Sequence, residues 1–186
     1  MSKMFGDETL ADFTFKVKEN EFKVSHKSIV GAASVVMYKT FTAEYEEKET
    51  SVCNVDGIEP KVFEALLRFI YCCTVTENLV EIACQLYEAA HYYELEPLKE
   101  TCLEKIWSGL SAETALDAFN LAYKYGLEKL LVESWEIVRR DILKVYFAAD
   151  LELITLNMIE EILAYRKMEQ DVFKKFEKIK VEEESN

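Results

Sequence analysis

The chain has 186 residues, half of them apolar, with only five glycines and two prolines. That is enough for one domain with a helical annex, and it leaves little room for barrels or long irregular loops. A formal net charge of -13 repels a phosphate backbone and argues against non-specific nucleic-acid binding.

Five cysteines, Cys53, Cys72, Cys73, Cys84 and Cys102, make an odd number with no C-x-x-C spacing. With two histidines beside them, a zinc site is not expected. Reduced thiols, most of them buried as small apolar residues, fit a cytoplasmic or nuclear protein. The N-terminal residues do not read as a signal peptide, and no apolar run is long enough to span a membrane.

Residues 12–18 and 21–25 alternate polar and apolar, the period of strands with one buried face. Glu19-Asn20 between them predicts a two-residue hairpin turn, with Asn20 taking positive φ. From Lys27 the period changes. Ile29, Val30 and Ala33 share a helical face, and Ser34 is placed to cap a second short helix through Phe41. Glu44–Thr50 is too charged for a core and reads as an exposed segment. Ser51–Val55 predicts a third strand and Asp56-Gly57 a turn.

Pro60 suits the first turn of a helix whose apolar stripe is Phe63, Leu66, Leu67 and Ile70. Further helices are expected over Asn78–Tyr92 and Leu95–Leu110, with Pro97 in the first turn of the latter. The stretch from Leu86 to Leu98 then repeats as Ala118 to Leu130, at an offset of 32 residues. Ala90/Ala122, Tyr93/Tyr125, Leu95/Leu127, Glu96/Glu128 and Leu98/Leu130 coincide. Such a period indicates stacked helix-turn-helix units. Ser111 is expected to cap the second unit and Gly126 to end its first helix. Helices around Leu151–Met168 and through Val172, Phe173, Phe176 and Ile179 follow, then an acidic tail.

No catalytic set is legible. His26 and His91 lie near no nucleophile elbow, and no phosphate loop is present. A cysteine–histidine pair through Cys84 or Cys102 is formally possible, but apolar helix faces account for both thiols. The carboxylate runs read as solvated surface.

Several of these phrases resemble one family. Asp12-Phe13-Thr14-Phe15, then Glu21-Phe22-Lys23-Val24-Ser25-His26-Lys27, is similar to the opening of a BTB/POZ domain. Val55 to Phe63, followed by Leu67-Arg68-Phe69-Ile70-Tyr71, resembles that family's third strand, turn and helix, with Cys73 near a position where Gly is common. Leu86 to Leu95 resembles its next helix pair. The spacing matches without gaps from about Asp12 to Leu110. Speckle-type POZ (MATH-BTB) adaptors look most similar, although no MATH or kelch domain fits within these residues.

The resemblance implies an α+β BTB/POZ fold over residues 1–110, a small three-stranded sheet capped by helices. It implies an all-α BACK-like (3-box) extension over 111–180, leaving 181–186 as tail. It implies no enzyme and no cofactor, and a homodimer with Met4, Phe5, Ile29 and Ala33 facing the partner and Asp12 and Lys27 as a buried charged pair beside that interface. It further implies a surface for a cullin-3 scaffold. Tyr45 and Glu47 would be the anchor and its carboxylate, Phe41 core or rim, and Tyr93 and Glu94 weaker contributors. Such a chain is expected to recruit an unknown protein substrate to a ubiquitin ligase. The alternatives are a non-ligase oligomerisation module, transcriptional or cytoskeletal, and a modulator of full-length adaptors through mixed dimers.

Overall fold

A computed structural model describes residues 11–42, 51–75 and 79–140. Contacts divide the chain into two compact units, the first ending at Gly109 and the second beginning at Leu110.

The first unit opens with strand β1 (Ala11–Val17) and strand β2 (Asn20–Ser25), paired antiparallel. Val17 faces Asn20, so the two turn residues are Lys18 and Glu19, one position earlier than the sequence suggests. The left-handed residue is accordingly Lys18 (φ 55) and not Asn20. Its ammonium reaches Glu59 at 2.5 Å, a contact invisible to local turn statistics. Strand β3 (Val52–Val55) joins the other edge of β1 in parallel, giving the order β2-β1-β3.

Because side chains alternate along a strand, Phe13, Phe15 and Val17 of β1 all enter the core, each at most 3% exposed. Helix α1 (Lys27–Ala33) and helix α2 (Val35–Thr42) follow the hairpin. Helix α3 (Pro60–Cys72) lays Val62, Phe63, Leu66, Leu67 and Ile70 on the same core. Phe63 is its centre, ringed by Phe15 at 5.2 Å, Phe22 at 5.5 Å and Tyr93 at 6.2 Å. Burying each such side chain contributes roughly 1.5–3 kcal/mol. Cys73 ends α3 in the left-handed conformation (φ 53), its N–H donating to the Phe69 carbonyl at 2.8 Å.

A short 3-10 turn (Val80–Ile82) leads into helix α4 (Ala83–Tyr92), which therefore starts later than the hydrophobic pattern suggests. Helix α5 (Glu96–Ser108) is antiparallel to it across a tight turn. The second unit has helix α6 (Ala115–Tyr125) and helix α7 (Glu128–Arg140). Ser111 does not cap α6. Thr114 stands at the N-cap, and Ser111 accepts the Ala115 N–H through its backbone carbonyl at 2.8 Å. Gly126 ends α6 as expected, at φ 67. Phe119 and Trp135 pack together at 5.5 Å inside this unit.

The repeat seen in the sequence is a repeat of structure. Ala83 and Ala115 open α4 and α6, and Glu96 and Glu128 open α5 and α7, each pair 32 positions apart. The turns match as well, with the Leu95 N–H donating to Ala90 at 2.8 Å and the Leu127 N–H to Ala122 at 2.9 Å. The same positions are buried, including Tyr87 with Phe119, Leu98 with Leu130 and Cys102 with Ser134.

The segment 43–50, with its expected exposed loop, and the helices and tail expected after residue 140 lie outside the described residues.

Candidate interaction surfaces

Two regions of the first unit collect the residues singled out by the sequence. The first is the step from β2 into α1. His26 occupies the N-cap of α1 in a left-handed conformation (φ 81) and gives it no side-chain cap. Asp12 of β1 supplies the cap from a distance in sequence. Its Oδ1 accepts the His26 N–H at 3.1 Å and the Lys27 N–H at 2.9 Å, and Oδ2 accepts the latter at 3.2 Å. A carboxylate at a helix N-terminus satisfies open donors and the helix dipole together. Burial pushes the Tyr71 phenol up to about 12, and the Asp12 carboxylate adds to that push.

Within one chain, Asp12 and Lys27 meet through a carboxylate and a backbone N–H. Asp12 is exposed and binds the Lys27 backbone, while the Lys27 ammonium lies over the Phe13 ring at 4.9 Å. Ile29 is half-buried and Ala33 exposed on α1. Met4 and Phe5 lie outside the described residues. The Nδ1 of His26 is buried with no hydrogen-bond partner among the described residues.

The second region joins α2 to the turn after α4. Ser34, fully buried, accepts the Met37 N–H at 3.2 Å, the capping role its sequence position suggests. The same hydroxyl donates to the Tyr93 carbonyl at 2.7 Å. The elements this contact joins carry three exposed apolar side chains, Val35 (53% exposed) and Tyr38 (57%) on α2 and Tyr92 (65%) at the end of α4. Glu94, also exposed, sits at φ 55 on the same turn.

The other candidates separate here. Tyr93 is core, its ring against Phe63 and against Tyr92 at 4.9 Å, so it offers no surface. Its phenol is pushed far up by burial, with the neighbouring Tyr92 and Cys53 adding to the effect. Phe41 is half-buried with its ring on Phe13 at 4.8 Å and Phe15 at 5.9 Å, which places it at the core margin. Tyr45 and Glu47 lie outside the described residues. Sequence reading missed Val35, Tyr38 and Tyr92. The signal was available in part, since Val35 and Tyr38 share an i, i+3 face opposite the buried Met37.

Of the five thiols, none in a disulfide, only Cys102 is buried, and Cys73 is exposed, contrary to the expectation that most are internal. Burial pushes Cys102 up to about 12, with Cys84 adding to it, so it is held as the inert thiol. Among the described residues no group of His, Cys, Asp or Glu is arranged to hold a metal, and no helix is long and apolar enough to cross a membrane.

A family profile for the BTB/POZ domain matches residues 1–109. The chain belongs to the BTB/POZ family. The small sheet with helices packed on it is that fold, and the domain makes this chain a protein-interaction and self-association module. A BTB/POZ domain-containing protein of Arabidopsis thaliana is 28% identical over 176 residues, covering 90% of this chain. The chain spans 53% of that relative's length. The solved BTB domain of zebrafish PATZ1 is 24% identical, with a TM-score of 0.47, covering 57% of this chain and 83% of that one.

Proposed function

We propose that this BTB/POZ chain is an adaptor that homodimerises and docks a cullin-3 scaffold, so that a protein substrate is brought to a ubiquitin ligase. The observation that carries the reading is the exposure of Val35, Tyr38 and Tyr92. Three large apolar side chains stand more than half exposed on two elements held together by the buried Ser34–Tyr93 hydrogen bond. Aromatic side chains on a rigid support are the usual anchors of a protein interface. Tyr45 and Glu47, the anchor and carboxylate that the family resemblance implies, follow α2 in sequence. The face of α1 with Ile29 and Ala33 is the self-association surface of this reading, and the second unit is a BACK-like helical extension. The activity lies in assembly and uses no catalytic residue of this chain.

Calorimetry with the N-terminal domain of cullin-3, paired with light scattering on the same sample, tests the reading. One scaffold bound per protomer of a dimer is the expected result, with Tyr45→Ala, Glu47→Lys and Tyr38→Glu each weakening it while the fold is kept. A stable dimer that binds no cullin would make the chain an assembly module outside the ligase pathway.

A further inference from the structure

The hairpin of α4 and α5 carries two of the five thiols. Cys84 stands in the first turn of α4 and is half-buried, and Cys102 stands in the middle of α5 and is fully buried. Two contacts fix the register of the hairpin on either side of them. Nearer the turn, the Lys99 ammonium of α5 lies over the Tyr87 ring of α4 at 5.8 Å. Farther from it, Gly109 at the end of α5 approaches Val80, so that an added Cβ would stand 2.5 Å from Val80 Cγ1. In an antiparallel pair, one turn back on the first helix and one turn on along the second reach the same level. Three positions back from Tyr87 is Cys84, and three on from Lys99 is Cys102.

The chemistry of the two positions agrees with that register. Three of the residues that α4 buries are alanines, Ala83, Ala89 and Ala90. Small side chains let two backbones approach, and a disulfide requires its Cα atoms to stand roughly 4.4–6.8 Å apart. Burial, and after it the charge of Cys84, pushes the Cys102 thiol up, so the two sulfurs lie within electrostatic reach of each other. The remaining thiols belong to other elements, Cys53 to β3 and Cys72 and Cys73 to the end of α3. Access also differs within the pair. Solvent reaches Cys84 and does not reach Cys102. A reachable thiol with a second thiol at its level is the arrangement in which the first is oxidised and the second resolves it.

We propose that Cys84 and Cys102 are a peroxide-sensitive pair that closes into a disulfide and staples α4 to α5. The Cys84 sulfur attacks one oxygen of hydrogen peroxide. The O–O bond breaks, that oxygen stays on sulfur as a sulfenic acid, and the other leaves as water with the thiol proton. The Cys102 sulfur, which burial keeps from meeting the oxidant, then attacks the Cys84 sulfur as a neighbouring group. The S–S bond forms, the S–O bond breaks, and the hydroxyl leaves as water with the Cys102 proton. Two thiols lose two electrons and two protons, and one peroxide becomes two waters. The bridge spans 18 positions of chain around the turn that carries Tyr93, and it restricts the open chain more than the folded one. The device operates whether or not the chain docks a ligase scaffold.

The test treats the full chain with hydrogen peroxide under native conditions, blocks the remaining thiols in acid and maps the peptides without reduction, with thermal unfolding alongside. The expected product links the peptide of Cys84 to that of Cys102, with two hydrogens lost from the intact mass. Its Tm should be higher by roughly 5–10 °C, and dithiothreitol should reverse the rise. Cys84→Ala should form no such link. Cys102→Ser should stop at a sulfenic acid on Cys84 that dimedone traps, a signature that a packing role alone would not leave. A main product in which Cys102 is still reduced, or a link made instead through Cys53, Cys72 or Cys73, would overturn the proposal. So would a bridged form that unfolds no higher than the reduced chain.

Discussion

The Ser34 hydroxyl serves two elements at once, accepting the Met37 N–H that opens α2 and donating to the Tyr93 carbonyl 59 positions along the chain. Both groups lie where water cannot replace the lost partner. Ser34→Ala should therefore cost about 1–3 kcal/mol, read from urea unfolding at neutral pH. It should also weaken scaffold binding, because Val35 and Tyr92 lose their common support. A variant with an unchanged midpoint would show that the two elements are held by packing alone.

Asp12 and Lys27 are joined through a carboxylate and a backbone N–H, so their two side chains should behave unequally. Asp12→Ala removes the cap of α1 and should cost about 1–2 kcal/mol. Asp12→Asn should cost less, since the amide oxygen still accepts. Lys27→Met loses only a ring contact, about 0.5–1 kcal/mol. A double-mutant cycle by denaturant unfolding checks this, with coupling near zero expected. Strong coupling would restore the ion pair.

Gly109 approaches Val80 so closely that an added Cβ would stand 2.5 Å from Val80 Cγ1. Gly109→Ala is expected to destabilise by about 1–3 kcal/mol through overpacking. Val80 is 38% exposed, so Val80→Ala should be mild alone and should recover much of the loss in the double variant. Equal destabilisation of the single and double variants would place the strain in the backbone.

Cys102 binds its proton more tightly in the fold than in the open chain, at about 12 against 9. The stability linked to the neutral thiol is complete below pH 9 and is lost as pH rises from there toward 12. Tyr71 adds the same sign of dependence above pH 10, from 10 toward about 12. Between pH 9 and 10 the thiol should therefore dominate. Cys102→Ser should flatten the decline in that window, measured by chemical unfolding at each pH. Its hydroxyl has a precedent in Ser134, which donates to Leu130 at 2.6 Å at the matching place in α7. An identical decline in wild type and variant would assign the titration elsewhere.

Much of this fold is written locally. The alternation of Phe13, Phe15 and Val17 gives the central strand, and the stripe of Phe63, Leu66 and Leu67 gives the helix against it. The 32-residue echo gives two hairpins whose helices start at matching positions. What local pattern cannot carry is contact between distant residues. The Lys18–Glu59 pair accompanies a turn one position earlier than its composition suggests. Asp12 caps a helix that begins 15 positions on, so a residue read as half of an ion pair is a backbone ligand. Tyr93 looks like a surface aromatic until Phe63 is placed against it. The elements that carry Tyr38 and Tyr92 are joined by a bond between Ser34 and Tyr93, 59 positions apart. The proposed docking surface was thus legible as a list of aromatic and acidic residues, and not as the subset that faces outward.

The distribution of contacts along the chain also orders events in time. β1 meets β2 across two residues, and each helical hairpin closes within a single turn, so these pieces can assemble in microseconds. The bond from Ser34 to Tyr93 closes a loop of 59 residues, and the pairing of β1 with β3 must wait for α1 and α2 to be laid down between them. Closing long loops is entropically costly before it is rewarded. The latch beneath Val35 and Tyr92 is therefore among the last features to form. Removing it should leave the folding rate nearly unchanged and make unfolding faster, so the proposed docking surface and the domain's resistance to unfolding share one hydrogen bond.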